Sequence, residues 1–361
     1  MIEYENLKKL NAPFEKGYDD AWQRVRQSGW YILGSEVKQF EGSFAHWLGI
    51  RHCIGVANGL DALVLSLRAL SLNEGDEVIV PSNTYIATIL AVIQAGLVPV
   101  LVEPDIHTYN IDPALIHKSI SSKTKAIMVV HLYGKCCDMK SIMGIANDHK
   151  LFVIEDVAQA HGAKQDGVVA GTFGHLSAFS FYPTKNLGAL GDAGAVVTNS
   201  DDHNKTVRRL RNYGSDVKYY NELAGVNSRL DELQAAFLSH KLEKLHDINQ
   251  HKRKLASVYH ELLGDQFILP SVDTRYEDVY HIFNIRHERR DELRTYLKEQ
   301  GVGTEIHYPV SPVHQNAMKG VLDHFQTPIA DEIHRTTLSL PISYFHTEQD
   351  VREVCRIMNQ F

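Results

Sequence analysis

Residues 176–198 read LSAFSFYPTKNLGALGDAGAVVT, two apolar runs on either side of a loop that contains a single lysine. The runs Ala178–Phe181 and Ala195–Thr198 have the length and composition of buried strands. Across the whole stretch the only formally charged side chains are those of Lys185 and Asp192. Because a lysine that serves solubility usually lies among other polar groups, the pattern favours a functional role for Lys185 over a place on the surface.

On the N-terminal side of this stretch, from residue 50, short apolar runs alternate with segments of helical periodicity. The further strand candidates are Cys53–Ala57, Glu77–Pro81, Pro99–Val102, Ala126–Val130 and Leu151–Ile154. The helix candidates between them are Leu60–Leu70, Ile86–Ala95, Pro113–Ile120 and Met139–His149. This alternation predicts an α/β fold with a largely parallel sheet covered by helices.

Beyond Thr198 the helical patterns become longer and more charged. We expect a helix at Lys205–Asn212 and one continuous helix from about Asp231 to Leu263 that connects two domains. A smaller α+β part should follow, with an extended segment at Tyr280–Arg286, a helix near Arg290–Gln300 and a proline-rich loop at Tyr308–Pro312. The first fifty residues should form helices beside that part. We therefore predict a large domain over residues 1–245 and a small one over 246–361.

Composition excludes several classes of function. The chain has 361 residues, 37 basic against 44 acidic side chains and a net charge of −7. No general positive field is available for a nucleic-acid polymer. No apolar run reaches the roughly 18 residues that span a bilayer, and the first 14 residues lack the apolar run of a secretory signal.

The cysteines and histidines do not have the spacing of a metal or redox site. The four cysteines form no paired two-residue motif, and the 20 histidines form no His-Glu-x-x-His sequence. We therefore expect a cytoplasmic protein with reduced thiols, no bound metal and no membrane partner.

Polar side chains follow the predicted strands where each strand ends, and ligands bind beyond the carboxyl ends of the strands in sheets of this kind. The residues that follow the runs are Asn58-Gly59-Leu60-Asp61, Ser82-Asn83-Thr84-Tyr85, His131, Asp156, Gln159, Tyr182 and Lys185. A lysine, a carboxylate, an aromatic ring and a glycine turn at a helix start are the groups that pyridoxal phosphate requires. A poorly solvated lysine has a lowered pKa, as attack on an aldehyde demands.

Two of these positions keep an alternative interpretation. Glu155 and Asp156 alternate across a strand end, so only one can face a ligand on a given side, and periodicity does not decide which. An acid there can hold the pyridine nitrogen of the cofactor protonated, or it can cap a following helix. Asn58-Gly59 can likewise open an anion site at a helix start or serve as an ordinary cap.

The segment Phe181–Gly194 resembles the lysine segment of DegT/StrS-type nucleotide-sugar aminotransferases. Five further segments resemble the same family, in order, over almost the whole chain: Ala57–Leu63, Pro81–Thr88, Glu155–Gly162, Gly225–Arg229 and Ile306–Pro309. The resemblance implies pyridoxal 5'-phosphate as cofactor and a three-layer α/β/α fold of the aspartate aminotransferase type, fold type I, with a small C-terminal α+β domain.

The resemblance also implies roles for individual residues toward the cofactor. Lys185 would form the internal aldimine and shuttle protons, and Asp156 would pair with the pyridinium nitrogen. Tyr85 would stack on the ring and Gln159 would lie near the ring hydroxyl. The phosphate would be held by the amides of Gly59 and Leu60, the Ser180 hydroxyl and Asn227 of a neighbouring subunit, so each active site of a homodimer would need both chains.

On the substrate side the resemblance implies that Tyr182, His307 and Tyr308 line the sugar site, and Arg229 and Lys218 are candidates for the diphosphate. From the residues alone, Asn227 and Ser228 would be the cap of the long helix, and His307-Tyr308 a polar loop. The sequence departs from the family at Leu60, where many members have threonine, and at Thr184 and Ala193, where glycine is common.

The implied reaction is a ping-pong transamination from L-glutamate to C3 of a dTDP-linked 3-keto-6-deoxyhexose. Residues 186–191, Asn-Leu-Gly-Ala-Leu-Gly, resemble the C3 branch of the family more than the C4 branch. The dTDP-3-amino-3,6-dideoxyhexose formed would serve a surface glycan such as an O-antigen or S-layer. The alternatives are a C4 aminotransferase on a nucleotide-linked 4-keto sugar, a dehydratase, which would have histidine in place of Lys185, and a non-catalytic regulator that binds the cofactor.

Overall fold

The structure is a computed structural model that describes residues 1–361. Its strands are β1 (His52–Val56), β2 (Glu77–Pro81), β3 (Val98–Val102), β4 (Thr124–Val130), β5 (Phe152–Asp156), β6 (Lys164–Gln165), β7 (Val168–Val169), β8 (Leu176–Ser180), β9 (Gly194–Thr198), β10 (Tyr276–Glu277), β11 (Phe283–Arg286) and β12 (Thr337–Leu340). The predicted strands of the sheet are confirmed to within two residues at either end.

The helices are α1 (Leu7–Asn11), α2 (Glu15–Ser28), α3 (Ser35–Leu48), α4 (Gly59–Ala69), α5 (Ile86–Gln94), α6 (Pro113–Ser119), α7 (Met139–His149), α8 (Asp201–Leu210), α9 (Glu232–Leu242), α10 (Leu245–Leu262), α11 (Arg290–Glu299), α12 (Pro328–Thr336) and α13 (Glu348–Met358). Short 3₁₀ turns lie at Ala12–Phe14, Leu132–Gly134, Pro312–His314 and Asn316–Met318. None of the helices combines the length and the apolar character needed to cross a membrane.

A seven-stranded sheet forms the centre of the molecule, in the order β1-β9-β8-β5-β4-β2-β3. Strand β9 runs antiparallel to both of its neighbours, and the other pairs are parallel. Strand β4 is buried along almost its whole length, as expected for a parallel strand with helices over both faces. Strands β8 and β9 are consecutive in the chain and antiparallel, so the loop between them begins and ends at the same edge of the sheet.

The sheet has a separate apolar core on each face. One core joins α3, α6, α7 and α9 to the sheet and contains the stacked rings of Phe40 and Phe44. The other joins α4, α5 and α8 and contains Leu63 and Ile89. The arrangement is the predicted three-layer α/β/α fold, fold type I.

The C-terminal part is α+β, as predicted. Strands β11 and β12 pair antiparallel, and α10, α11 and α13 pack around them in a core that includes Tyr259 and Phe283, whose ring centroids lie 4.6 Å apart. The predicted extended segment begins three residues late, at Phe283, because Tyr280 has a positive φ of 43° that turns the chain.

The single helix predicted from Asp231 to Leu263 is wrong. The chain forms α9 and α10, which are separated at Glu243 and Lys244, where the Lys244 amide bonds back only three residues to the carbonyl of Lys241. The break changes the direction of the helix axis, so α9 packs on α2 and α3 while α10 packs on α13. No glycine or proline marks the junction in the sequence. The helical periodicity therefore runs through it, and the sequence alone predicts one helix.

The predicted position of the N-terminal helices is wrong for α3, whereas α2 contacts both parts of the molecule. Helix α3 packs on α9 and β1, since its apolar face belongs to a core of the large sheet. Helix α2 packs on α9 in a separate small cluster that also contains Ile248 of α10. The N-terminal segment also touches the C-terminal part: Ile2 bridges to Val302, Glu5 accepts a hydrogen bond from Ser343, and the ring of Phe14 stacks with that of Tyr344.

Candidate active site

A cavity of about 590 Å³ opens at the carboxyl edge of the large sheet. The ends of β1, β2, β5 and β8 form its floor, and His281 and the His307-Tyr308 pair close it from the C-terminal part. A second cavity of about 610 Å³ lies between α2, α3 and α9, but neither a lysine nor a strand end lines it. The chemistry predicted from the sequence therefore converges on the first cavity.

Lys185 lies on the connection between β8 and β9, which backbone hydrogen bonds hold in place. The Phe181 amide donates to the Ala193 carbonyl, and the Ala189 amide donates to the Phe181 carbonyl, each at 2.8 Å. The Lys185 amide itself donates to the carbonyl of Tyr182. The lysine is thus presented to the cavity by a rigid loop.

The Lys185 side chain is half-buried at the bottom of the cavity. Burial lowers its pKa to about 8, against the opposing effect of the Asp156 carboxylate. Its Nζ has one hydrogen-bonding partner, Nε2 of His281, at 3.3 Å. At neutral pH a far larger fraction of this amine is neutral, and therefore nucleophilic, than for an ordinary lysine.

The structure decides between the two carboxylates of β5. Asp156 faces the cavity, where its Oδ2 accepts a hydrogen bond from Thr88 Oγ1 at 2.9 Å and its Oδ1 accepts one from the Ala158 amide at 3.1 Å. Burial raises its pKa, although these bonds and Lys185 oppose the shift. Turns rather than a helix follow Asp156, so the alternative of a helix cap does not apply.

Glu155 points to the opposite side of the sheet, where its carboxylate is saturated with donors. It accepts from Nε2 of His131 at 2.9 Å and from the backbone amides of Gly171, Phe173 and Gly174. Nδ1 of His131 accepts from the Cys137 amide, so Nε2 carries the proton that is donated to Glu155. His131 and Glu155 therefore form a structural pair outside the cavity.

The start of α4 forms an anion site at the other end of the cavity. The Asn58 side chain caps the helix by accepting from the Asp61 amide at 2.8 Å. The amides of Gly59 and Leu60 have no protein acceptor and line the cavity. A Cβ on Gly59 would lie 2.6 Å from Cβ of Ser180, so glycine alone permits this close approach. Free amides at a helix N-terminus bind phosphate well.

Three more of the predicted residues form one group on the cavity wall. Gln159 donates from Nε2 to the Tyr308 hydroxyl at 2.8 Å and accepts at Oε1 from the Tyr133 amide at 2.6 Å. The ring of Tyr85 lies 5.1 Å from that of Tyr308 and is half exposed. The bonds of Gln159 fix which end of its amide faces the aromatic pair.

His307 and Tyr182 also line the cavity. Nδ1 of His307 is 2.9 Å from the Ser339 hydroxyl, and burial, together with the charge of Lys185, lowers the pKa of His307 to about 4. The imidazole is therefore neutral at physiological pH. Tyr182 is exposed at the rim.

The remaining predicted residues do not line the cavity of their own chain. Asn227 is exposed and bridges to Asn212, and Arg229 donates to Oδ1 of Asn212 at 3.1 Å. Lys218 is exposed, with its Nζ 4.9 Å from the ring centre of Tyr219. The cap of α9 is Asp231, so the prediction that Asn227 and Ser228 cap a helix is wrong.

Sequence reasoning missed two residues of the cavity region, Thr88 and His281. Thr88 lies on the helix that follows Tyr85, and its hydroxyl contacts both Asp156 and Thr84. The spacing of Thr84 and Thr88, one helical turn apart, is a signal that could have identified the pair. His281 is 96 positions from Lys185 in the chain, and no local pattern marks it.

The residues around the cavity fit one organic cofactor. Pyridoxal phosphate needs an amine for its aldehyde, an acid for its pyridine nitrogen and an anion site for its phosphate, and the three lie around a single cavity with room for the ring. Fold and cavity together define the class of the protein, an enzyme of fold type I that depends on pyridoxal phosphate.

Comparison with known proteins identifies the family. The model of the DegT/DnrJ/EryC1/StrS aminotransferase family matches residues 15–359, and the chain belongs to that family. It is accordingly a transaminase of the nucleotide-sugar class.

Individual relatives cover nearly the full length of the chain. The dTDP-3-amino-3,6-dideoxy-alpha-D-galactopyranose transaminase of Aneurinibacillus thermoaerophilus is 51% identical over 362 residues, 100% of this chain and 99% of the relative. The erythromycin biosynthesis sensory transduction protein EryC1 of Saccharopolyspora erythraea is 47% identical over 94% of each chain. The crystal structure of S. venezuelae DesV in complex with a ketimine intermediate superposes with a TM-score of 0.97 at 42% identity, covering 99% of this chain and 98% of that one.

Proposed function

We propose that this enzyme transfers the amino group of L-glutamate to C3 of a dTDP-linked 3-keto-6-deoxyhexose and releases a dTDP-3-amino-3,6-dideoxyhexose. The observation that carries the proposal is the 51% identity, over the whole chain, to a transaminase named for such a product. The polar lining of the cavity supports it, since Tyr182, His307 and Tyr308 offer hydroxyl and imidazole groups to a sugar.

We assign the cofactor contacts as the geometry suggests. When bound, pyridoxal phosphate supplies an electron sink for the carbanion that forms at the reacting carbon. The Gly59 and Leu60 amides and the Ser180 hydroxyl hold its phosphate. Without a side-chain hydroxyl at Leu60, the backbone donors carry more of this contact.

Asp156 and Lys185 have complementary tasks. A buried carboxylate with few donors gains most from a cation, so Asp156 favours a protonated pyridine nitrogen in front of it. Lys185, with a pKa of about 8, can both take up and release a proton near neutral pH, the range in which general acid–base catalysis is efficient. Its task is to move the proton between the reacting carbons in both half-reactions.

The reaction and its position on the sugar are tested together. Purified protein is incubated with glutamate while the cofactor absorbance is followed, and then with dTDP-linked 3-keto and 4-keto sugars, with mass detection of the amino products and NMR to locate the nitrogen. We expect an absorbance change with glutamate and nitrogen at C3. Amination of the 4-keto sugars alone would overturn the C3 assignment in favour of the C4 alternative.

We further propose a homodimer in which Asn227 of one chain serves the cavity of the other. The segment before Asn227 exposes large apolar side chains in a cluster that a second copy of the chain would cover: Tyr213, Val217, Tyr219, Tyr220, Leu223 and Val226. Asn227 and Arg229 next to this cluster point away from their own cavity, and we assign both to the partner's site.

Subunit mixing tests the shared site. Lys185→Ala and Asn227→Ala homodimers are prepared separately, mixed, and allowed to exchange. If Asn227 acts on the partner, each mixed dimer regains one intact site, and activity rises to about a quarter of the wild-type value at equal mixing. If Asn227 acts within its own chain, no mixed dimer has an intact site and activity does not rise.

The cellular role remains part of the proposal. A nucleotide-linked amino sugar is an activated glycosyl donor, and we propose that it supplies a surface glycan such as an O-antigen or S-layer from the cytoplasm. Deletion of the encoding gene should remove the amino sugar from that glycan while leaving its other sugars in place.

A second candidate function is a regulator that binds pyridoxal phosphate. The name of the 47% identical relative, a sensory transduction protein, favours it. The two candidates separate in the incubation with glutamate, because a regulator without transaminase activity would bind the cofactor and leave its absorbance unchanged.

A further inference from the structure

His281 is the one polar group within hydrogen-bonding distance of the Lys185 amine. Nε2 of His281 lies 3.3 Å from Nζ of Lys185, and this is the one hydrogen bond that Nζ makes. The other ring nitrogen, Nδ1, is buried and has no partner. The imidazole therefore has a single polar contact in the protein, and that contact is the lysine that the reaction uses.

The backbone holds this imidazole in place. On either side of His281, the Val279 amide donates to the Gly134 carbonyl at 2.9 Å and the Ile282 amide donates to the Tyr133 carbonyl at 3.3 Å. The His281 carbonyl accepts from Nζ of Lys252 at 3.2 Å. The backbone around Gly134 packs closely against that of His281, because a Cβ on Gly134 would lie 2.8 Å from the His281 amide nitrogen.

A neutral imidazole suits a lysine that must change its charge. An ammonium group can donate to Nε2, and a neutral amine can either donate to Nε2 or accept from it. A carboxylate in this place would hold the lysine as ammonium, and a second cation would repel it. A neutral imidazole is a partner in both states of the amine without strongly favouring the charged one.

The surroundings keep His281 neutral. Burial lowers its pKa well below the ordinary value, and the charges of Lys185 and Lys252 act in the same direction. The other titratable groups around it, His307 and His161, also lower it. The imidazole thus cannot compete with Lys185 for the proton.

We propose that His281 is a positioning residue for Lys185, which holds the amine in place through both of its protonation states. The inference rests on the role proposed above for Lys185 and goes beyond it, because it assigns the placement of the catalytic amine to the C-terminal part of the chain.

The test compares His281→Gln with His281→Leu. Glutamine can present its amide oxygen near the position of Nε2, whereas leucine fills similar space without an acceptor. In the leucine variant the single-turnover reaction with glutamate should slow by 10-fold to 100-fold, as expected for a misplaced reactive group. The glutamine variant should stay within about fivefold of wild type, since it keeps the hydrogen bond.

A readout on the cofactor-free protein separates positioning from general damage. The pH dependence of trinitrobenzenesulfonate labelling at Lys185, located by mass spectrometry, gives the pKa of the amine. Loss of the acceptor removes a stabilising contact of the ammonium form, so the labelling midpoint should move to lower pH by about one unit in the leucine variant. It should move little in the glutamine variant.

Equal rates and equal midpoints in folded wild type, His281→Gln and His281→Leu would overturn the proposal, as would a glutamine variant as slow as the leucine variant. If leucine prevents folding, His281→Asn replaces it, because its shorter side chain cannot reach Nζ. Lys185→Ala is measured in parallel: a borohydride-reducible adduct that survives there would refute the role of Lys185 itself. Its loss, with His281 variants unchanged, would refute only the present inference.

Discussion

Glu155 and Asp156 are neighbours at the end of β5, but they lie on opposite sides of the sheet and differ in the number of hydrogen-bond donors around them. Glu155 accepts hydrogen bonds from a histidine, a serine hydroxyl and three backbone amides. Asp156 is also buried, but it accepts hydrogen bonds from only one hydroxyl and one backbone amide. Burial opposes ionisation of both, but the donors lower the pKa of Glu155 below its ordinary value, whereas that of Asp156 is raised.

The buried lysines show the same contrast. Lys241 and Lys252 each have a pKa lowered to about 8 by burial, and each donates to two oxygen atoms. Lys185 has the same lowered pKa but contacts one imidazole nitrogen. In this protein the buried charged groups outside the cavity have their hydrogen-bond partners in place, whereas those that face the cavity have bonding capacity left for a ligand.

The largest expected effect is that of Lys185→Ala. Transaminase activity should fall about 10⁴-fold, because the variant loses both the nucleophile and the proton carrier. The adduct that borohydride reduces in the wild-type protein should be absent from peptide mass spectra, while the melting temperature stays close to wild type. Lys241→Met is the matched control: it should keep the adduct, because Lys241 has a similarly lowered pKa but does not line the cavity. An adduct retained by Lys185→Ala would show that another lysine binds the cofactor and would contradict the distinction between Lys185 and the other buried lysines.

Asp156→Asn should come next. The amide keeps the shape of the side chain but does not offset a positive pyridine nitrogen, so kcat/KM should fall about 10²–10³-fold. In the cofactor-free protein the stability effect should depend on pH. The pKa of Asp156 is raised above 3.8 in the folded protein. The free energy of unfolding of the wild type should therefore fall as pH rises from the unfolded pKa through the folded pKa, and that of the variant should not. Urea unfolding at several pH values measures this, and a variant with wild-type kcat/KM would contradict the assignment.

Glu155→Gln should change stability more than chemistry. Glutamine has an NH2 group in place of one carboxylate oxygen, so the donors that faced that oxygen lose their acceptor, and the change should cost about 3 kcal/mol in the free energy of unfolding. The folded pKa of Glu155 lies below 4.5, so its contribution is present above that pH and is lost as pH falls through the folded value. Its pH dependence is therefore opposite in sign to that of Asp156. Equal unfolding curves for wild type and variant would remove the distinction.

The smallest effect should be that of Thr88→Val. The variant removes one of the two donors to Asp156 and should raise the pKa of that carboxyl further, with a loss of about tenfold in kcat/KM. The acid limb of the pH–rate profile should move to higher pH. Thr84→Val is the natural control, since Thr84 contacts Thr88 and not the carboxylate; an equal shift in both variants would point to altered packing.

Much of the fold was predictable because its signals are local. Buried parallel strands such as β4 appear as apolar runs, and helix α7 was predicted at its exact bounds from its periodicity. The break between α9 and α10 was not predictable, since it arises from two different packing partners and no residue at Glu243 or Lys244 marks it.

The site divides in the same way. The lysine loop and the start of α4 have local signatures, and the sequence placed Lys185, Gly59 and Tyr85 together. The choice between Glu155 and Asp156 depended on which face of the sheet meets the cavity, and periodicity cannot supply that. His281 reaches the site only through the packing of the C-terminal part, so it could be found only in three dimensions.

Backbone hydrogen bonds hold the connection between β8 and β9 at several points. Ser180 pairs with Gly194 across the two strands, and the loop is tied twice more before it reaches Lys185. A residue added or deleted between these hydrogen bonds would change the position from which the loop presents the amine to the cavity. For anyone who redesigns this enzyme, the length of the loop is a stricter constraint than the identity of most residues within it.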